Sequence, residues 1–285
     1  MNKQHYGKVY FVGAGPGDPQ LLTIKAAKIL STAEVVITDR LVSEEIINTY
    51  VNPEAVIIPV GKQGGSNASV PQFEINDIIV QFASSYERVV RLKGGDISLY
   101  SNILDELKAV NEHNISYEII PGITALSGAS ASTGVPLTAR GLATGVRILT
   151  YYQDTAIADD AWKYLASFED TLVFYMTGNA LPQLINKLLQ HGADASIPFL
   201  VIEQATTPGQ FVHEFTLGNY NSSELQIEFM SPSLVIMGKV TALYKQFAWL
   251  PNNAERKHYF KPLQDHPELI SLINNIQQSS HVSRA

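Results

Sequence analysis

The stretch Val12–Thr23, VGAGPGDPQLLT, decides how the rest of the chain is read. It follows an apolar run, Lys8–Val12 (KVYFV), that marks a first strand, and leads into a helical pattern starting near Pro19. Three glycines, Gly13, Gly15 and Gly17, alternate through the turn. Alternating glycine between a strand and a helix lets backbone come very close to a ligand or to another backbone. A dinucleotide-binding loop would need G-x-G-x-x-G and a helix N-terminus free to receive a pyrophosphate. Here the third glycine comes one position early, and Asp18 stands where the last would be. Asp18-Pro19 has the form of an N-cap followed by proline at the first helical position. A capping carboxylate takes the amides a phosphate would use and repels the phosphate itself. The loop therefore suits a ligand without phosphates, such as a nucleoside carrying an amino acid, better than NAD. A tight turn with no ligand is the alternative.

Outward from this loop, strand-like runs alternate with helical patterns. The strands are Lys8–Val12, Glu34–Thr38, Val56–Val60, Arg88–Leu92 and Tyr117–Ile120. Helices are expected at Gln20–Ser31, Ser43–Thr49, Pro71–Ser85 and Asn102–Asn114. Near-continuous Val, Ile and Leu in such strands means both faces are covered, so this half is an α/β unit with a mostly parallel sheet. Residues 122–145 turn rich in Gly, Ala, Ser and Thr, a small-residue helix and loop that mark a domain boundary. A second α/β region follows, with strands Val146–Thr150, Thr171–Met176, Pro198–Glu203, Gln210–Thr216 and Ser233–Gly238, and helices near Asp159–Ser167 and Ala180–His191. No long helix separates the last two strands, so this sheet is expected to be mixed. The domains expected are 1–125, 126–250 and a polar extension 251–285, within which Pro267–Gln277 could form a short amphipathic helix.

Composition narrows the class. The chain has 285 residues, 45% apolar and 16% charged, as in ordinary globular enzymes. Its net charge of −7 gives no global field for nucleic acid. With no cysteine, disulfides, cysteine-based zinc sites and thiol nucleophiles are excluded. No apolar run is long enough for a signal peptide or a membrane span, which reads as a cytoplasmic protein. The seven histidines are scattered, so no dedicated metal site is expected.

Two further Gly-rich turns follow strands. RLKGGD, Arg91–Asp96, puts a carboxylate at a strand end, where open α/β sheets place their ligands; Asp96 could bond a ribose hydroxyl or an amine, or simply cap its turn. PGIT, Pro121–Thr124, sets a hydroxyl at a helix start. Asp39 ends the second strand, as a general base, a ribose hook or a neighbour of the next helix. Lys62, Arg40, Arg91, Lys93 and Arg140 fall at strand ends and loops, and together would make a basic cleft suited to a polycarboxylate substrate.

These stretches resemble the tetrapyrrole methylase family. GAGPGDPQLLT, DRLVS (Asp39–Ser43), VGK (Val60–Lys62), VVRLKGGD (Val89–Asp96), PGITA (Pro121–Ala125) and GVPLT (Gly134–Thr138) stand in the family's order and spacing. So do FYMTGN (Phe174–Asn179), EQAT (Glu203–Thr206) and SPSLVIMGKV (Ser231–Val240). The resemblance covers about residues 7–245 and implies two α/β domains, usually in a homodimer, with S-adenosylmethionine in the cleft between them. It implies cofactor contacts at the positions matching Pro16, Gly94, Gly95, Asp96 and Leu99, and at Thr124, Ala125, Met176, Ala205 and Ser233. It makes Asp39 the proton acceptor and Lys62 the proton donor. The activity implied is C-methylation of an anionic tetrapyrrole, uroporphyrinogen III to precorrin-2, on the route to sirohaem or cobalamin. Where the family reads GGDP, an aromatic and FGRG, this chain reads GGDISLYSNILDE. It also has Gln63 for an arginine, Ala139 for a histidine and TYYQ (Thr150–Gln153) for a TGH.

Overall fold

The structure, a computed structural model, describes residues 5–61, 70–152, 157–220 and 227–260. The chain divides into two compact units, the first running to Thr124 and taking in Phe260 again, and the second running Ala125–Tyr259.

In the first unit, five strands form one sheet: β1 (Lys8–Gly13), β2 (Val35–Thr38), β3 (Val56–Pro59), β4 (Arg88–Lys93) and β5 (Tyr117–Ile120). Their order is β3-β2-β4-β1-β5, and every pairing is parallel. Side chains alternate between two cores. Val9, Phe11, Val35, Ile37 and Val89 face α3 (Gln72–Ala83) and α4 (Ile103–Glu112). Val12, Val36, Val90, Leu92 and Ile120 face α1 (Ile24–Leu30) and α2 (Glu44–Tyr50). Strands covered on both faces have no polar side to show, which is why they are nearly all apolar. The chain leaves β1 toward β2 on one side, and leaves β4 toward β5 on the other. The carboxyl ends of β1 and β4 thus flank a topological switch point, where open α/β sheets bind ligands.

The helix after the first loop begins later than the sequence suggests. Asp18 caps only a single 3-10 turn, Pro19–Leu21, accepting from the Gln20 amide at 2.8 Å. Leu22 is then extended, and Thr23 caps α1 by accepting from the Ala26 amide at 3.2 Å. Two cap residues compete within five positions; the chain uses both, and a hydroxyl rather than a carboxylate fills the first turn of α1.

In the second unit, β6 (Val146–Thr150), β7 (Thr171–Tyr175), β8 (Pro198–Glu203), β9 (Phe211–Thr216) and β10 (Ser233–Met237) pair in the order β6-β7-β10-β8-β9. Only β6 and β7 run parallel, so the sheet is mixed, as the missing crossover helix requires. Phe174, Phe199, Val201 and Val235 face α6 (Asp159–Ala166) and α7 (Leu181–Gln190). Val173, Leu200, Leu234 and Ile236 face the small-residue helix α5 (Ala125–Thr133). The polar stretch after Leu250, expected as an extension, is fastened into this unit through Tyr259 by hydrogen bonds to β8, β9 and the loop between them. The expected helix Pro267–Gln277 lies outside the described residues. No described helix is long and apolar enough to cross a membrane.

Candidate functional site

Beyond the sheet's carboxyl edge the loops after β1, β4 and β5 are laced together. Gly15 and Gly95 exchange backbone hydrogen bonds at 3.0 and 2.8 Å, and the Ala14 amide donates to the Lys93 carbonyl at 2.8 Å. A Cβ on Gly13 would stand 2.6 Å from the Gly122 nitrogen, and one on Gly94 2.8 Å from the Leu41 carbonyl oxygen. These glycines are there because backbone meets backbone, one of the two uses that the sequence left open. Gly15 and Gly95 also have φ of +79° and +72°, which only glycine adopts cheaply.

Asp96 ties the β4 and β5 loops. Its Oδ1 accepts from the Ser98 amide at 2.8 Å and from the Ser98 hydroxyl, and its Oδ2 accepts from the Gly122 amide at 3.1 Å. Burial opposes its charge, but the hydrogen bonds from Ser98, Gly122 and Ile97 prevail and hold its pKa below the ordinary carboxylate range. A carboxylate depressed in this way stabilises the fold above its unfolded-state pKa, and that contribution fades as pH falls through the folded value. Asp96→Asn should therefore lower stability at pH 7, with the deficit shrinking below about pH 4. Urea unfolding of both proteins across pH 7 to 3 measures this; a pH-independent deficit would remove the charge from the argument.

Behind this edge lies a buried ionic group. Arg91, in β4, is 2% exposed; its Nη2 donates to Asp39 Oδ1 at 2.5 Å and its Nε to Glu106 Oε1 at 3.0 Å. Nη1 donates to the carbonyls of Ile37 and Leu92. Lys93, two residues on and on the same face, donates to Glu106 Oε1 at 2.8 Å. Glu106, in α4, is fully buried, with its Oε2 left without a partner. Burial opposes the Arg91 charge, but Asp39 and Glu106 more than offset it and the guanidinium holds its proton more tightly than usual. Burial, followed by the Arg91 charge, pushes the Lys93 pKa down. The expected basic cleft is corrected here: Arg91 and Lys93 are spent on internal ion pairs, because Glu106 lies against both. Arg140 is exposed, Arg40 is half-buried, and Lys62 lies outside the described residues.

Asp39 directly follows β2 with its side chain 29% exposed, so one carboxylate is both anchored by a buried arginine and open to solvent. Pro16, Leu99 and Thr124 are half-buried on the loops of the same edge. The remaining expected positions belong to the second unit. Met176, just after β7, has φ +59° and is 55% exposed, a costly backbone conformation beside an exposed apolar side chain. Ala205 follows β8, Ser233 opens β10, and Ala125 opens α5; all three are half-buried. Sequence reading missed Glu106. Two cations at alternate positions in an otherwise apolar, doubly covered strand signal a buried acid. Among the described residues no group of three His, Asp or Glu side chains is placed to hold a metal.

Residues 8–220 match the model of the family described as Tetrapyrrole (Corrin/Porphyrin) Methylases. The siroheme synthase of Pseudomonas putida strain W619 is 40% identical over 252 residues, 88% of this chain and 54% of that protein. Siroheme synthase 2 of Klebsiella pneumoniae is 42% identical over 250 residues, again 88% and 54%. The chain thus spans about half the length of the curated relatives it matches. Among solved structures, uroporphyrin-III C-methyl transferase from Thermus thermophilus, complexed with S-adenyl homocysteine, is 34% identical at a TM-score of 0.70. That match covers 83% of this chain and 100% of the other.

Proposed function

The chain belongs to the tetrapyrrole methylase family, and from that premise we propose that it is an S-adenosylmethionine-dependent C-methyltransferase that converts uroporphyrinogen III to precorrin-2, on the route to sirohaem or cobalamin. The observation that carries this reading is the 34% identity to the whole of a uroporphyrin-III C-methyl transferase solved with S-adenyl homocysteine. In this reading Pro16, Gly94, Gly95, Asp96, Leu99 and Thr124 serve the cofactor, with Ala125, Met176, Ala205 and Ser233 of the second unit. Lys62 is the proton donor, and the working form is a homodimer.

The residues fit a ligand without phosphates. The hydroxyls of Thr23 and Ser43 each take an amide in the first turns of α1 and α2, and Asp18 sets a carboxylate on the loop after β1, which repels a phosphate there. S-adenosylmethionine supplies an electrophilic methyl group on a sulfonium. The protein's main task is to line up that methyl with an electron-rich pyrrole carbon, and orientation of this kind contributes about 7–11 kcal/mol. A pyrrole ring methylated in this way would carry a proton that it must lose. Asp39 takes it, held in place by Arg91.

Asp39→Asn keeps the shape and an acceptor for Arg91 but not the base. It should slow turnover by about 10²–10⁴-fold and leave S-adenosylhomocysteine affinity unchanged; unaltered turnover would remove Asp39 from the role. The primary test is incubation with uroporphyrinogen III and labelled S-adenosylmethionine, with a dimethylated product expected. One observation favours a different tetrapyrrole acceptor. The segment after Asp96, which departs from the family pattern, carries left-handed Tyr100 and Asn102 (φ +54° and +55°). Transfer to another porphyrinogen alone would establish that reading, and cofactor binding without any transfer would assign the chain a binding role.

A further inference from the structure

The segment after Leu250 lies beyond the residues that match the family, yet Asn252, Asn253, Arg256, Lys257 and Tyr259 all hydrogen-bond to β8, β9 or the loop between them. We propose that Asn252–Tyr259 is an intramolecular clamp that holds the Gln204–Gly209 loop, and with it Ala205, in the geometry the cofactor requires. The proposal rests on the reading of Ala205 as a cofactor position.

The loop needs holding. Gln204 and Thr206 have φ of +46° and +69°, conformations that non-glycine residues keep only when their surroundings over-determine them. From inside, the Thr206 amide donates to Gln210 Oε1 at 2.8 Å, and the Thr207 hydroxyl donates to the Gln204 carbonyl at 2.7 Å. The Gln204 amide donates to the Pro232 carbonyl at 2.8 Å, Gln204 Nε2 to the Gly209 carbonyl at 3.1 Å and the Gly209 amide to the Thr207 hydroxyl oxygen at 3.1 Å. The clamp adds to this support from outside the loop. Gln204, fully buried, donates through Nε2 to the Lys257 carbonyl at 2.9 Å, and its Oε1 accepts from the Tyr259 amide at 2.7 Å. Asn253 donates through Nδ2 to the Pro208 carbonyl at 2.5 Å and through its amide to the Gln210 carbonyl at 3.0 Å. Asn252 pairs with both backbone groups of Val212, at 2.8 and 3.1 Å, on the outer edge of β9, which ends the sheet.

Arg256 is the anchor. Its Nη2 donates to Glu203 Oε1 at 2.8 Å and to the Glu228 carbonyl at 3.2 Å, and its guanidinium lies over the Phe211 ring at 5.3 Å. Glu203, fully buried at the end of β8, also accepts from the Met230 amide at 2.9 Å and sits 3.1 Å from His213 Nε2. One carboxylate thus joins β8, β9, the residues leading into β10 and the clamp. Arg256 itself has φ +44°, so the clamp is held in a costly shape at the point where it grips. A loop fixed in advance binds without paying to be ordered; a loosened one loses affinity in proportion to the fraction of time it is correctly shaped.

The test uses the full chain and S-adenosylhomocysteine. Calorimetric Kd and steady-state KM for S-adenosylmethionine are measured for the wild type, Arg256→Met, Arg256→Lys and Asn252→Ala. If release leaves the loop correctly shaped about a tenth of the time, Arg256→Met raises Kd and KM about tenfold with a much smaller change in kcat. Arg256→Lys, which keeps the charge at Glu203, should fall between. Asn252→Ala leaves no buried charge unpaired and carries the test if Arg256→Met does not fold; its Kd should rise several-fold. A fall in thermal midpoint with Kd unchanged would reduce the segment to a stabilising strut and overturn the proposal. Failure of the wild type to bind would overturn the cofactor reading together with the clamp, whereas binding that the variants share would overturn the clamp alone.

Discussion

Arg91→Met should destabilise the protein by about 3–5 kcal/mol and abolish methyl transfer, and the two losses should be separable. Arg91 is the cation on which two carboxylates depend: Glu106, fully buried, and Asp39, open to the edge of the sheet. Removing it leaves Glu106 with Lys93 alone and takes from Asp39 the hydrogen bond that orients it. Breaking one partner of a buried ionic group is costly because it strands a charge, whereas removing both partners for apolar groups is often neutral. The double variant Arg91→Met/Glu106→Leu should therefore regain most of the lost stability. Lys93, whose pKa burial already lowers, loses there the Glu106 carboxylate that favours its charge, so its pKa shifts further down than in the single variant. Turnover should not return, since Asp39 still lacks its anchor. Urea unfolding gives the first quantity and the labelled-methyl assay the second. Recovery of turnover in the double variant would show that Asp39 works without Arg91.

The same residues show what was legible in the sequence. The strands were, since β2 is buried at every position and β4 and β8 nearly so, and such strands announce themselves by composition. Their order in the sheet was not, because each parallel crossover runs through a helix that says nothing local about which neighbour it reaches. The glycine turns were legible as places of close approach, but not what approaches: at Gly13, Gly94 and Gly122 it is other backbone. The ionic group was half legible. Arg91 and Lys93 stood out at alternate positions in an apolar strand, and read alone they looked like a basic cleft. Their acid lies 13 and 15 residues away on a helix whose buried face only packing reveals. The clamp on Gln204 was hidden for the same reason, since a polar tail read alone cannot show that a buried glutamine more than fifty residues upstream awaits its backbone.

Gly122→Ala is expected to cost about 3 kcal/mol or more, at the top of the range for overpacking, and to weaken S-adenosylhomocysteine binding at least as far as any single cofactor-side variant. Gly122 has no left-handed φ, so the penalty owes nothing to backbone preference. It comes from space: an added Cβ would press on the Gly95 carbonyl oxygen, stand 2.8 Å from the Gly13 carbonyl carbon and 2.9 Å from the Gly13 Cα. All three atoms are backbone, so none can swing aside as a side chain would. Relief requires the ends of β1, β4 and β5 to part, which breaks the Gly15–Gly95 pair and the bond from the Gly122 amide to Asp96. Displacement of about 1 Å in groups that orient a reaction costs on the order of 10² in rate, so turnover falls even in whatever fraction stays folded. Gly141→Ala is the matching control. Gly141 has φ +81° with nothing within 4 Å of an added Cβ, so alanine there meets a backbone penalty of about 1 kcal/mol and no collision. Equal or smaller loss at Gly122 in urea unfolding would mean that the strand ends can separate cheaply. The three Gly-rich loops would then be independent turns, and the edge they form would have to be shaped by the ligand itself.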